Sequence, residues 1–248
     1  MQQENGIRIG MTSPLTGPAS ESGIALKEGA TLAVEEVNAA GGVDLGGQKV
    51  RSELLVEDCK SQPEVGVAAA EKLIAGDKVH YLVGDALHSS VTMAIMDLAP
   101  KYGIPIVSGE PVSEAIVEKI EADPMRYRNY WKMNFGSSAY GHAVFELVNW
   151  LVERGAFHTS TRTAGFVMED TDYGRSNARA AASRFEATGW SAVAPEVVPL
   201  AQADFCSQLG RLAEAKVDLL LSIFTAVTAG AALVRQFHKA GEDALHIA

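Results

Sequence analysis

Residues 7–42 read IRIGMTSPLTGPASESGIALKEGATLAVEEVNAAGG and contain the structural unit that repeats along the chain. Residues 7–11 form a short apolar run that is typical of a buried strand. Residues 12–22 form a loop rich in Ser, Thr, Pro and Gly. In residues 23–40 the apolar side chains recur at helical spacing, which predicts an amphipathic helix that ends at the following glycine pair. This stretch therefore predicts a strand, a loop and a helix in succession.

The same succession occurs along the rest of the chain. We predict further strands over residues 50–56, 79–83, 104–107, 131–135, 164–168, 192–198, 217–224 and 244–248. We predict further helices over residues 63–74, 89–101, 114–121, 139–154, 175–188, 205–215 and 226–240. Strands that alternate with helices are typical of parallel sheets covered on both faces. About five strands precede residue 136 and about four follow it, which favours an α/β fold with two doubly wound parallel-sheet lobes.

The boundary between the two predicted lobes follows from this strand count. We place the N-terminal lobe at residues 1–133 and the second lobe at residues 134–248, with a short crossing near residues 132–136. The chain stops inside the strand predicted at residues 244–248. We therefore expect the C-terminal part of the second lobe to be missing, because domain boundaries normally lie in exposed linkers.

Composition excludes several classes of protein. The chain has 248 residues, is 47% hydrophobic and carries a net charge of −10. Such a chain can bury a core, whereas its acidity disfavours binding to nucleic acid or to anionic membranes. The longest uncharged run, residues 219–234, is shorter than the roughly 20 residues of a membrane-spanning helix. We expect neither a nucleic-acid partner nor direct membrane insertion.

Sequence motifs for catalysis or cofactor binding are absent. The chain has no G-x-G-x-x-G, no G-x-x-x-x-G-K-[ST], no H-E-x-x-H, no C-x-x-C and no G-x-S-x-G. Residues 170–174 begin like a calcium loop, but Gly174 occupies a ligand position. The six histidines are scattered without the spacing of metal ligands. We therefore expect no metal, no cofactor and no catalytic residue.

Several loops should meet at one edge of the predicted sheets. Ser89 is expected to be the N-cap of the helix at residues 89–101, and this position lies at the carboxyl edge of the sheet, where α/β folds bind ligands. The loops at residues 12–22, 109–113, 169–174 and 224–228 follow other strands and should line the same edge. Their polar and aromatic groups would suit a small polar molecule.

Short motifs spread over the whole chain carry a family resemblance. They are IRIG (7–10), PLTGP (14–18), VNAAGGV (37–43), ED (57–58), PE (63–64), AEKLI (70–74), YGIP (102–105) and DYG (172–174). In combination they resemble the leucine/isoleucine/valine-type periplasmic solute-binding proteins of ABC transporters, which have the type I periplasmic binding fold. The resemblance implies two ligand-binding lobes that are joined by a hinge and close on a small solute.

The resemblance also implies which residues contact the solute. Carried over position by position, they are Ser22, Ser89, Ser90, Glu110, Ser113, Tyr173, Phe224 and Thr225. Tyr173 corresponds to an aromatic clamp, and Ser89 to a group that holds a carboxylate. Glu110 and Pro111 depart from the pattern of amino-acid binders, so the solute need not be an α-amino acid. Cys59 lies near a family disulfide position whose partner position is His88, so no such bridge is expected.

The implied function is capture of a small polar molecule (an amino acid, amide or small carboxylate) and its delivery to the membrane permease of an ABC transporter. The implied location is the periplasm, with a signal peptide already removed. Two alternatives stay open: a ligand-sensing receptor or regulator on the same fold, and an α/β hydrolase that uses Ser89 or Cys206.

Overall fold

Strands and helices alternate along the chain in the computed structural model, which describes residues 6–241 and 243–248. The strands are β1 (Gly6–Ser13), β2 (Val43–Leu45), β3 (Gln48–Asp58), β4 (Tyr81–Val83), β5 (Ile106–Ser108), β6 (Tyr130–Lys132), β7 (Thr163–Glu169), β8 (Ser191–Ala192), β9 (Glu196–Val198), β10 (Leu219–Ile223) and β11 (Leu245–Ile247). The helices are α1 (Ser20–Ala39), α2 (Pro63–Glu71), α3 (Ser89–Ile95), α4 (Leu98–Tyr102), α5 (Glu114–Ala122), α6 (Ser137–Glu153), α7 (Asp172–Glu186), α8 (Cys206–Glu214) and α9 (Val227–Ala240).

These elements form two compact units. Unit 1 contains residues 1–111 and 116–134, and unit 2 contains residues 112–115 and 135–248. The short segment 112–115, which contains the first two residues of α5, belongs to unit 2. The predicted lobe boundary after residue 133 had assigned this segment to the first lobe. That each unit is a ligand-binding lobe stays a prediction.

The sheet of unit 1 has the strand order β2-β3-β1-β4-β5-β6. All neighbouring strands are parallel except β2, which is antiparallel to β3. The core of unit 1 consists of apolar side chains from the strands, from α2 to α5 and from the π-helical turn Lys72–Gly76 after α2; Leu73, Leu82, Ile95 and Ile106 are fully buried in it.

The sheet of unit 2 has the order β11-β10-β7-β8, and β9 also pairs with β7. Every pair in this sheet is parallel. Two clusters of buried side chains cover its faces, one built around Phe205 and Leu233 and the other around Phe166 and Phe185. The predicted α/β class with two parallel sheets is confirmed. Among the helices of the described residues, none combines the length and hydropathy needed to span a bilayer.

Several predicted boundaries are wrong, and glycine or proline explains three of them. Gly46 and Gly47 both have positive φ angles and turn the chain between β2 and β3, a hairpin that was not predicted. Pro100 has no N–H to donate to the fourth preceding carbonyl, and the helix predicted at 89–101 is divided into α3 and α4. Pro195 interrupts the strand predicted at 192–198, which forms β8 and β9.

At the amino end of β10, Asp218 fixes the loop that precedes β7. Its carboxylate accepts N–H bonds from Ser160, Thr161 and Arg162 at 2.6–3.1 Å, and it also accepts the hydroxyl groups of Ser160 and Thr161. Burial raises the pKa of Asp218, but these donors outweigh burial and lower the pKa to about 2. The ionised carboxylate is therefore favoured in the folded state.

We expect Asp218→Asn to lower the free energy of unfolding by about 2 kcal/mol at neutral pH. Because the pKa is lower in the folded than in the unfolded chain, this contribution is present above the unfolded value. It is lost progressively as the pH falls from about 5 to about 2. Urea unfolding across this range measures it, with Asp243→Asn at an exposed position as the control. A difference from wild type that does not shrink in acid would contradict the prediction.

Candidate functional site

The carboxyl ends of the parallel strands of unit 1 place several predicted site residues at one edge of its sheet. Main-chain hydrogen bonds join the loops after β3 and β4 to the last residues of β1 there. The N–H of Ala86 donates to the carbonyl of Thr12 at 2.9 Å, and the N–H of Cys59 donates to the carbonyl of Ser13 at 3.0 Å. This is the edge at which open α/β sheets bind ligands.

The start of α3 differs from its prediction. The N-cap is His88, and Ser89 is the first helical residue, so the N-cap role assigned to Ser89 is wrong. No side chain caps this helix; the carboxylate of Asp85 instead accepts the N–H groups of Leu87 and His88 in the loop just before it. Ser89 is buried, whereas Ser90 is half-buried. Sequence reasoning missed Asp85, because a loop carboxylate that bonds to the N–H groups of the next few residues leaves no distinctive motif.

Ser22 and Glu110 lie on two other elements of unit 1. Ser22 is the third residue of α1, because the helix begins at Ser20 and the predicted loop is shorter than expected. Next to it, a Cβ atom on Gly23 would lie 2.0 Å from the carbonyl oxygen of Pro14, so only glycine permits this approach of α1 to the loop. Glu110 is exposed after β5, and its carbonyl accepts the side-chain amide of Asn134 at 3.2 Å.

In unit 2 the corresponding edge is organised by Glu169, the fully buried last residue of β7. Its carboxylate accepts the N–H of Thr225 at 2.7 Å and the hydroxyl of Thr225 at 2.8 Å. It also accepts the hydroxyl of Thr171 at 2.9 Å. One buried acid thus holds the loop after β10 against the start of α7. Sequence analysis placed Glu169 in the loop 169–174 at this edge but assigned it no individual role.

The start of α7 depends on a glycine. Thr171 is the N-cap, and its hydroxyl accepts the N–H of Gly174 at 3.0 Å. A Cβ atom on Gly174 would lie 2.2 Å from the carbonyl oxygen of Glu169. Because any larger residue would push α7 away from β7, Gly174 fixes the position of the neighbouring Tyr173.

Tyr173 lines two adjacent cavities of unit 2. The first has a volume of about 150 Å³ and is lined by side chains from α6, α7, β10 and β11, including Tyr140. The second has a volume of about 120 Å³ and is also lined by Phe224. Burial raises the pKa of Tyr173 to about 12, with Tyr140 and Glu169 adding to the effect. The phenol is therefore neutral at physiological pH and can both donate and accept a hydrogen bond.

The predicted site residues thus form two groups, each within its own unit. In unit 2, Tyr173 and Phe224 share a cavity, and Thr225 follows Phe224; Phe224 also packs edge-to-face on Phe205 with ring centroids 5.7 Å apart. Ser113 belongs to unit 2 as well; it is buried, and its hydroxyl accepts the N–H of Ala115 at 3.3 Å. Ser22, Ser89, Ser90 and Glu110 belong to unit 1.

Comparison with known families gives one match over nearly the whole chain. The model of a family described as "Periplasmic binding protein" matches residues 6–247. A curated Leu/Ile/Val-binding protein of Rhizobium johnstonii is 28% identical over 214 residues, which cover 86% of this chain and 53% of the relative. The chain thus spans about half the length of this curated relative.

Solved structures share the fold. A solute-binding protein of an R. palustris ABC transporter, in complex with benzoate, superposes with a TM-score of 0.78 at 22% identity over 97% of this chain and 61% of that chain. A branched-chain amino acid transporter substrate-binding protein of Streptococcus pneumoniae, in complex with isoleucine, has a TM-score of 0.76 at 23% identity over 97% and 63% of the respective chains.

We expect Glu169→Gln to lower the free energy of unfolding by about 1–3 kcal/mol, because the amide replaces one of two buried acceptor oxygens with a donor that faces other donors. Denaturant unfolding measures this change. The control is Glu186→Gln on the exposed surface of α7, which should stay within about 0.5 kcal/mol of wild type. Equal stability of the two variants would show that Glu169 does not hold the loop after β10.

Proposed function

The chain belongs to the periplasmic binding protein family, and we propose that its full-length protein captures a small polar solute and delivers it to the permease of an ABC transporter. This is a family of solute-binding proteins and not of enzymes. The observation that carries the proposal is the pair of cavities in unit 2 at Tyr173, next to the loop that Glu169 holds. The proposed location is the periplasm, as the family name indicates.

The chemistry of these cavities supports a solute with an apolar body and polar ends. The larger of the two cavities has a mainly apolar wall that includes Val144 and Ile223, and Tyr140 and Tyr173 also line it. This pattern of apolar wall and few polar groups is usual in small-molecule sites. Benzoate and isoleucine, bound by the two structural relatives, both fit this description and give two probes. We propose an amino acid, an amide or a small carboxylate as the solute.

The contacts that we propose for unit 1 come from Ser22, Ser89, Ser90 and Glu110, and those for unit 2 from Ser113, Tyr173, Phe224 and Thr225. Among them Ser90, Tyr173 and Thr225 are half-buried, whereas Ser89 and Ser113 are buried. Tyr173 supplies the aromatic wall. Thr225 is already held by Glu169, so its contribution to the solute comes from a preorganised hydroxyl.

Native mass spectrometry of the full-length gene product, purified from its own host, tests the proposal directly. A small molecule released on activation would identify the solute. Deletion of the gene should then abolish uptake of that solute, which a purely sensory role does not require. A protein that carries no small molecule would overturn the proposal. So would a deletion strain whose uptake of the identified solute is unchanged.

We expect Tyr173→Ala to weaken solute binding by about 1–3 kcal/mol without loss of the fold, because it removes the aromatic wall of the cavities. Isothermal titration with isoleucine and with benzoate measures the change, and circular dichroism checks the fold. Tyr102→Ala in unit 1 is the control, since Tyr102 is exposed and bonds to the side chain of Glu71. Unchanged affinity in Tyr173→Ala would remove this residue from the site.

We expect Glu110→Gln to distinguish ammonium-bearing solutes from simple carboxylates. Isoleucine should bind up to about fivefold more weakly, the scale of an exposed ion pair. Benzoate should bind equally well or more tightly, because a like charge is removed. Glu118→Gln, at an exposed position of α5, is the matched control in the same titrations. Weaker binding of both probes would exclude a charge effect of Glu110 on the solute.

A further inference from the structure

A buried cluster of three side chains of the kinds that ligate metal ions lies within unit 1. It consists of Cys59, Asp85 and His88, and each offers one ligand atom within 4.8 Å of the other two. Cys59 and Asp85 have no exposed surface, and His88 is 4% exposed. Three different potential metal ligands, a thiol, a carboxylate and an imidazole, therefore lie close together out of contact with solvent.

Strand order brings these residues together. Cys59 follows the carboxyl end of β3, whereas Asp85 and His88 follow the carboxyl end of β4. β1 lies between these two strands and pairs in parallel with both. Close packing of α2 on α3 covers the cluster, since a Cβ atom on Gly66 would lie 2.3 Å from the side chain of Val91 and 3.5 Å from Cβ of Cys59.

The imidazole ring of His88 is buried without hydrogen-bond partners among the described residues. Among the described residues, neither Nδ1 nor Nε2 has a hydrogen-bond partner, and both atoms are buried. The Nδ1 atom lies 3.6 Å from the carboxylate of Asp85, which is longer than a hydrogen bond. A neutral imidazole carries one donor and one acceptor, and leaving both unpaired in the interior is costly. The two unpaired ring nitrogens therefore indicate that His88 contacts a bound group that is not part of the described protein chain.

Hydrogen bonds to both carboxylate oxygens fix the orientation of Asp85. Its Oδ2 atom accepts the main-chain N–H groups of Leu87 and His88. Its Oδ1 atom accepts the thiol hydrogen of Cys59 at 3.2 Å. Oriented carboxylates of this kind are usual in metal sites, where hydrogen bonds outside the ligand set fix each ligand.

We propose that Cys59, Asp85 and His88 bind a divalent transition-metal ion of the zinc class. Sulfur, imidazole nitrogen and carboxylate oxygen are the donors that Zn²⁺ prefers, and three of them leave a fourth tetrahedral position for water or another oxygen. On binding, the thiol hydrogen is lost to solvent as a proton, and the Sγ–H bond is replaced by an Sγ–metal bond. The Oδ1 atom that accepted this hydrogen becomes the second ligand.

A bound ion would also supply a positive charge next to the thiol of Cys59. Burial raises the pKa of the Cys59 thiol, and the carboxylate of Asp85 raises it further. A bound metal ion stabilises the thiolate. The ion would tie the loop after β3 to the loop after β4, just before Ser89. This proposal concerns unit 1 alone and does not depend on the proposed solute.

Titration of the full-length protein with Co²⁺ tests the site, after chelator treatment and under a reductant that does not bind metals. One equivalent of Co²⁺ should bind and give a thiolate-to-cobalt charge-transfer band, which one equivalent of Zn²⁺ should abolish. Cys59→Ser should remove the band. His88→Gln should lower the affinity by at least about tenfold, since even outer-shell changes at metal sites cost this much.

Cys206→Ser is the matched control, because Cys206 is the other free thiol and is exposed. It should keep the band and the affinity of wild type. X-ray absorption of the zinc-loaded wild type provides a measurement that needs no variant, and it should show one sulfur ligand together with imidazole. This result decides the proposal if a variant does not fold.

Three outcomes would overturn the proposal. The first is the absence of a charge-transfer band in wild type whose Cys59 is verified as reduced. The second is a band that survives in Cys59→Ser and is lost in Cys206→Ser, which would place the metal at the exposed cysteine. The third is an X-ray absorption spectrum of the zinc-loaded protein without sulfur in the first coordination shell.

Discussion

The parallel pairing of β1 with β3 and β4 is the constraint on which unit 1 depends. β1 pairs with β3 along eight residues and with β4 on its other side. Because parallel strands all end at the same edge, the loops that follow these three strands must converge. Convergence brings Cys59 to Asp85, and main-chain N–H groups of Cys59 and Ala86 bond to the end of β1. In unit 2, β7 lies between β10 and β9 and brings Glu169 to Thr225 in the same way.

Buried or partly buried carboxylates hold the loops that these strand ends position. Asp85 and Glu169 are fully buried; Asp85 accepts two main-chain N–H groups and a thiol, and Glu169 accepts one main-chain N–H and two hydroxyls. Asp218 has the same role at the opposite edge of the unit 2 sheet. A buried charge is costly unless it is saturated with hydrogen bonds, and a saturated network admits few alternative geometries. The positions of Tyr173 and of His88 are therefore specified by polar contacts as well as by apolar packing.

Local patterns predicted part of this molecule well. The class of fold and the family resemblance are confirmed, because alternating hydropathy and short motifs are properties of neighbouring residues. The β2–β3 hairpin was missed despite its Gly46-Gly47 turn, and Pro195 divided a predicted strand. Tyr173, predicted from the resemblance, lies beside two cavities, and its contact with a solute stays a prediction.

By itself, the sequence determined an acidic α/β chain with parallel sheets and the family to which it belongs. Only the tertiary structure decided which side chains meet. Cys59 is 26 residues from Asp85, and Glu169 is 56 residues from Thr225. The histidines are scattered in the sequence, yet His88 faces a thiol and a carboxylate in the fold. The physical reason is that such contacts depend on strand order and register. Hydropathy periodicity specifies which face of an element is buried, but it does not specify which strand lies next to which.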